Sequence, residues 1–142
     1  MLKQISLFLE NKPGRLAYVC RVMGQEGINI RALSVADTTD FGVLRLIVDN
    51  PSLAEEKLKA RGFLVNITDV AGIKIEDRPG GLADALEKLG EENIAVEYVY
   101  AFLNKCGDQA MVILRLSDNE RAAAALRKRG IPMMTEEEAY RN

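Results

Sequence analysis

The sequence predicts an α+β fold made of two copies of one β-α-β-β-α-β unit, residues 1–70 and 71–142. Three observations predict it. The stretch Asn-Lys-Pro-Gly-Arg-Leu-Ala at 11–17 returns as Asp-Arg-Pro-Gly-Gly-Leu-Ala at 77–83, an offset of 66 residues. At that offset Glu10 meets Glu76, and Gly24, Glu26 and Ile28 meet Gly90, Glu92 and Ile94. The apolar positions Leu16, Val19, Cys20 and Met23 match Leu82, Ala85, Leu86 and Leu89, which is one helical stripe written twice.

The elements follow in order. Ile5, Leu7 and Leu9 alternate with mostly polar neighbours and predict a half-buried strand. Pro13 is expected at the first helical position, where its missing N–H costs nothing, with the helix running to Glu26 and ending at Gly27. Residues 28–37 read as a second strand, 38–42 as a turn and 43–49 as a third strand. Pro51 and Ser52 open a second helix that ends near Gly62, and 63–70 read as a fourth strand. The second copy repeats the pattern with a strand at 72–76, a helix at 80–92, strands at 94–103 and 109–117, and a helix at 119–129. Little remains after Pro132 for a last strand, and the closing Glu-Glu-Glu-Ala-Tyr-Arg-Asn reads as a solvated helical turn or a frayed end. No linker separates the copies, so the expectation is two ferredoxin-like domains packed side by side, each an antiparallel sheet with helices on one face.

Composition narrows the function. The chain has 142 residues, 48% of them apolar, with a net charge of −2, which argues against nucleic acid or an anionic membrane held by bulk charge. No run is long enough for a signal peptide or a membrane span, so a cytoplasmic protein is expected. There is no histidine, and Cys20 and Cys106 do not correspond in the repeat. Neither a metal site nor a disulfide framework is expected, nor is any catalytic centre or cofactor. The central strands carry no aromatic residues that could stack on RNA bases.

What survives is the repeated loop. A helix start presents unpaired N–H groups and the positive end of the helix dipole, and Gly14 or Gly80 leaves that backbone open to a small carboxylate. The stretches 9–30 and 75–96, each followed by two strands and a second helix, resemble ACT domains, and the whole chain resembles stand-alone tandem-ACT proteins. The resemblance implies a regulatory sensor that binds an amino acid between two ACT domains and controls a metabolic enzyme. It also allows a non-catalytic subunit with little ligand dependence, like the small subunit of acetolactate synthase. Its site would draw on Asn11, Pro13, Gly14, Arg15, Leu16 and Asn29, with Tyr98 and Tyr100 as an aromatic wall. A second, weaker site would use Asp77, Gly80, Gly81 and Leu82. There Asp77 replaces Asn11 and would repel a carboxylate, and Ala95 replaces Asn29. Tyr98, Tyr100 and Phe102 alternate and should share one strand face, either as that wall or as cover for the sheet face away from the helices. The apolar central strands predict sheets covered on both sides and hence a homodimer.

Overall fold

A computed structural model describes residues 1–37, 40–105 and 107–141. Its elements are β1 (Leu2–Glu10), α1 (Arg15–Gln25), β2 (Ile30–Asp37), β3 (Phe41–Val48), α2 (Pro51–Ala60), β4 (Val65–Glu76), α3 (Gly81–Glu91), β5 (Val96–Ala101), β6 (Gln109–Leu116), α4 (Asn119–Lys128) and α5 (Glu136–Arg141). The chain forms two compact units. One is Lys3–Thr68 with the closing residues from Tyr140; the other is Asp69–Ala139 with Met1–Leu2. The strand expected at 63–70 and the one expected at 72–76 are a single 12-residue strand, β4. The glycine between them, Gly72, is not a break: it pairs with Ile113, and a Cβ on it would meet Leu2 at 2.6 Å and Met134 at 3.1 Å.

In the first unit the strands run β2-β3-β1. Antiparallel pairs set Ile5 opposite Leu46 and Glu10 opposite Phe41, and Val35 opposite Leu44 and Asp37 opposite Gly42. This register aligns Ile5, Leu7 and Leu9 with Leu44, Leu46 and Val48 on one face. Val19, Val22 and Met23 of α1 and Ala54 and Leu58 of α2 close over it. Asn50 caps α2, its side chain accepting from the Leu53 N–H, with Pro51 following in the first turn.

The second unit repeats the plan with strands in the order β4-β6-β5. Ala71, Ile73, Val112, Leu114 and Leu116 form the inner face under Ala85 and Leu89 of α3 and Ala122, Ala125 and Leu126 of α4. Its last strand shrinks to a bridge between Ile73 and Met133, flanked by bonds from Lys74 N–H to Pro132 O and from Met134 N–H to Gly72 O. Tyr98 and Tyr100 lie opposite Arg115 and Ile113, and so share the face away from the helices; their rings stack 6.4 Å apart.

One expectation changes in part. The closing segment is helical, as one alternative had it, but it is packed and not solvated or frayed. Thr135 and Glu138 cap α5 reciprocally: the Glu138 N–H donates to Thr135 Oγ1 and the Thr135 N–H to Glu138 Oε1. Glu138 also holds Lys74 at 2.7 Å, Ala139 is buried, and Tyr140 accepts from the Lys3 N–H at 2.8 Å. The helix forms because these bonds satisfy its ends, which charge composition does not reveal. On the sheet faces away from the helices, Ile47 and Ile113 are fully buried.

The hydrogen bonds from Lys74 and Thr135 hold the Glu138 carboxyl below its ordinary value of 4.5. A lowered folded pKa contributes stability above the ordinary value, and that contribution is lost as pH falls through the lowered one. Acid titration followed by hydrogen exchange should therefore open α5 early in the native protein. In Glu138→Gln the exchange of α5 should be faster at neutral pH and nearly flat through that acid range.

Candidate functional site

The two repeated loops match bond for bond. Asn11 N–H donates to Asp40 O, and Asp77 N–H to Asp108 O. Lys12 N–H turns back to Glu10 O as Arg78 N–H does to Glu76 O. Arg15 N–H reaches Lys12 O, and Gly81 N–H reaches Arg78 O. The helical ladders begin with Tyr18 N–H on Gly14 O and Asp84 N–H on Gly80 O, both at 2.9 Å.

Gly14 and Gly80 are the N-caps, in the left-handed region at φ 85°, and neither helix start has a side-chain cap. Pro13 therefore sits in the turn, not at the first helical position. The left-handed cap places the following N–H groups at the surface without a serine or aspartate to accept from them. Nothing lies within 4 Å of where a side chain on Gly14 would begin, so this glycine serves backbone conformation and open access. Leu16 and Leu82, placed by the repeat on the apolar stripe, are 39% and 37% exposed beside these starts.

Charge differs between the loops. Lys12 pairs with Glu10 at 2.9 Å, and its hydrogen bond holds the Glu10 carboxyl below the usual range. Asp77 is not a free negative charge: Lys105 pairs with it, and that hydrogen bond raises the lysine. The repulsion expected from Asp77 is thus largely cancelled. Arg78 bonds Glu76 and Asp84, each at 2.5 Å, and these carboxylates raise its pKa.

The asparagines separate. Asn11 lies at the β1 end, beside Asp40. Asn29 lies at the start of β2, where its N–H donates to Asp49 Oδ1 and its carbonyl accepts from Asp49 N–H. Eight residues of β2 stand between these ends, roughly 25 Å. Within one unit Asn11 and Asn29 do not meet on one small ligand. Ala95 keeps the same backbone link through Ser117, so its loss of an amide changes no turn. Tyr98 and Tyr100 belong to the second unit and are half-buried.

Arg15, expected at the site, makes aromatic contacts that the sequence did not show. Arg15 is half-buried, with its guanidinium carbon 5.5 Å from the Tyr18 ring centre and 5.4 Å from that of Phe63. Its Nε is buried without a hydrogen-bond partner. The signal available was the repeat itself, which sets Arg15 against Gly81. Among the described residues no group of three acidic, histidine or cysteine side chains is placed to hold a metal, and no helix is long and apolar enough to cross a membrane. Cys20 is half-buried and free, while Cys106 lies outside the described residues.

Comparisons with known proteins agree with the repeat. Protein BT0572 from Bacteroides thetaiotaomicron has a crystal structure that is 40% identical, with a TM-score of 0.92, covering 99% of this chain and 96% of that one. The ligand-free regulatory subunit of aspartate kinase from Thermus thermophilus shares the fold at 20% identity and a TM-score of 0.65, over 90% of each chain. The same subunit from Thermus flavus gives 20% and 0.62 over 88% of each. No curated protein matches the sequence at a significant level. The family of ACT domain pairs matches residues 1–141, and the chain belongs to it.

Proposed function

We propose that the protein is a regulatory module that binds an amino acid or a similar small carboxylate at a glycine-capped helix start and thereby controls a metabolic enzyme, as a homodimer. The observation that carries this reading is the pair of left-handed glycine caps with no side-chain cap, which leaves backbone donors facing outward. Membership of the ACT family and the fold shared with the Thermus aspartate kinase regulatory subunits support a regulatory role. The first loop is the better site. Asn11 is exposed there and neutral, whereas the second start is overhung by Arg78 and its two carboxylates. Asn29 is reached by the same ligand only from another unit, which is one reason to propose a dimer.

A thermal-shift screen against the common amino acids tests this, because a ligand bound only by the folded state raises the melting point. With a ligand in hand, Asn11→Ala should weaken binding by about 1–2 kcal/mol in calorimetry. Gly14→Asn tolerates the left-handed backbone but sets a carboxamide over the helix start, and should weaken binding more than Gly80→Asn. The reverse order would place the site on the second loop.

A structural subunit with little ligand dependence is the second reading. It is favoured by Phe8 and Phe41, which lie near one another on paired strands and are 53% and 50% exposed. Flat melting curves throughout the screen would decide for it.

A further inference from the structure

We propose that the second unit holds a separate cleft for a small carboxylate with a short apolar chain, at the place where the first unit packs its own arginine. The bond-for-bond match of the loops makes position 15 equivalent to 81 and 18 to 84. Phe63 N–H bonds Leu58 O as Ile131 N–H bonds Leu126 O, which makes 63 equivalent to 131.

In the first unit Arg15 fills this place, its guanidinium lying over both Tyr18 and Phe63, whose rings are 6.2 Å apart. Arg61 donates to the Tyr18 hydroxyl at 3.1 Å and closes the outer side. In the second unit the corresponding residues are Gly81, Asp84 and Ile131, and none of them fills the space. A cleft of ≈ 260 Å³ remains, with Ile75, Gly81, Ala85, Lys88, Gln109 and Ile131 among its walls. Glycine keeps it open. A Cβ on Gly81 would stand 2.1 Å from Glu76 O, so no side chain enters from that position without moving backbone.

The cleft is smaller than the pockets of about 300–1,000 Å³ that take drug-sized molecules, which limits it to a metabolite of few heavy atoms. Its charges set the class. Arg78 engages both Glu76 and Asp84, and Glu138 engages Lys74. Lys88 and Gln109 have no side-chain partner among the described residues, so the cleft still offers one ammonium and one carboxamide. A carboxylate satisfies both, and its short chain covers Ile75, Ala85 and Ile131. A cation finds no carboxylate there that Arg78 has not already engaged. This site lies within the second unit; it shares Gly81 with the weaker second-loop site and no residue with the first-loop site proposed above.

The test is amide NMR of the labelled protein titrated with propionate, lactate and L-alanine, with propylamine as the cationic control. The amides of Gly81, Ala85, Lys88 and Ile131 should move and saturate with the acids and stay still with propylamine. Lys88→Glu, at an exposed position that leaves the fold intact, should weaken the response roughly tenfold or more. Asp84→Tyr with Ile131→Phe, which restores the first unit's residues, should abolish it. No saturable movement at these amides up to about 10 mM acid would overturn the proposal. So would movement that Lys88→Glu leaves unchanged. A response confined to Leu16 and Ala17 would also overturn it while supporting the first-loop site, so the two readings fail separately.

Discussion

Gly81→Ala is expected to destabilise the protein by roughly 2–4 kcal/mol, against about 1 kcal/mol for Gly14→Ala. The two glycines open the same turn for different reasons. The Cβ of alanine at 81 would stand 2.1 Å from Glu76 O and 3.2 Å from Glu76 C, both backbone atoms. Neither can rotate away, and the Gly81 N–H is itself tied to Arg78 O at 3.0 Å. Relief requires the end of β4 or the first turn of α3 to shift. At Gly14 nothing lies within 4 Å, and only the left-handed backbone, at φ 85°, resists a side chain. Urea unfolding of the two variants measures the difference. Equal losses would mean that the loop after β4 moves freely, and the steric account would fail.

Ile73→Ala should cost about 2–5 kcal/mol, and Val99→Ala less than about 0.5 kcal/mol. Both residues lie in strands of the second unit, so propensity is nearly constant and burial separates them. Ile73 is fully buried, faces the cluster under α3 and α4, and bridges to Met133, which stands in for the missing last strand. Its loss leaves a cavity that paired backbone on both sides cannot collapse to fill. Val99 points toward the helix side opposite Leu114 but sits on the outer strand and is 42% exposed. Denaturant midpoints for the pair check this. A small loss at Ile73 would show that the second core is loosely packed.

Much of the fold was legible because the chain states it twice. The offset between Asn11 and Asp77 located both loops, and Pro51 with Ser52 marked the start of α2. What escaped depended on groups distant in sequence. Nothing local to 136–141 shows that Lys74 and Lys3 will satisfy Glu138 and Tyr140. Pro13 suggested a helix start two residues early, because the requirement for left-handed φ at Gly14 is invisible without the backbone path. The site was legible only in part. The loop and its glycine were found by pattern, and within one unit chain direction sets Asn11 and Asn29 at opposite ends of β2. Asp77 read as a lone negative charge until Lys105, 28 positions on, was seen to pair with it.

The continuity of β4 limits how this chain can change in length. Val65 feeds the first core, and Ala71 and Ile73 feed the second, all at odd positions of one uninterrupted strand. Inserting or deleting one residue between Val65 and Ala71 reverses the parity of one partner and turns its inward side chains outward. Two residues restore the parity. Elsewhere domains are joined by segments that absorb any number of residues; here one strand serves both cores, and its length counts in twos.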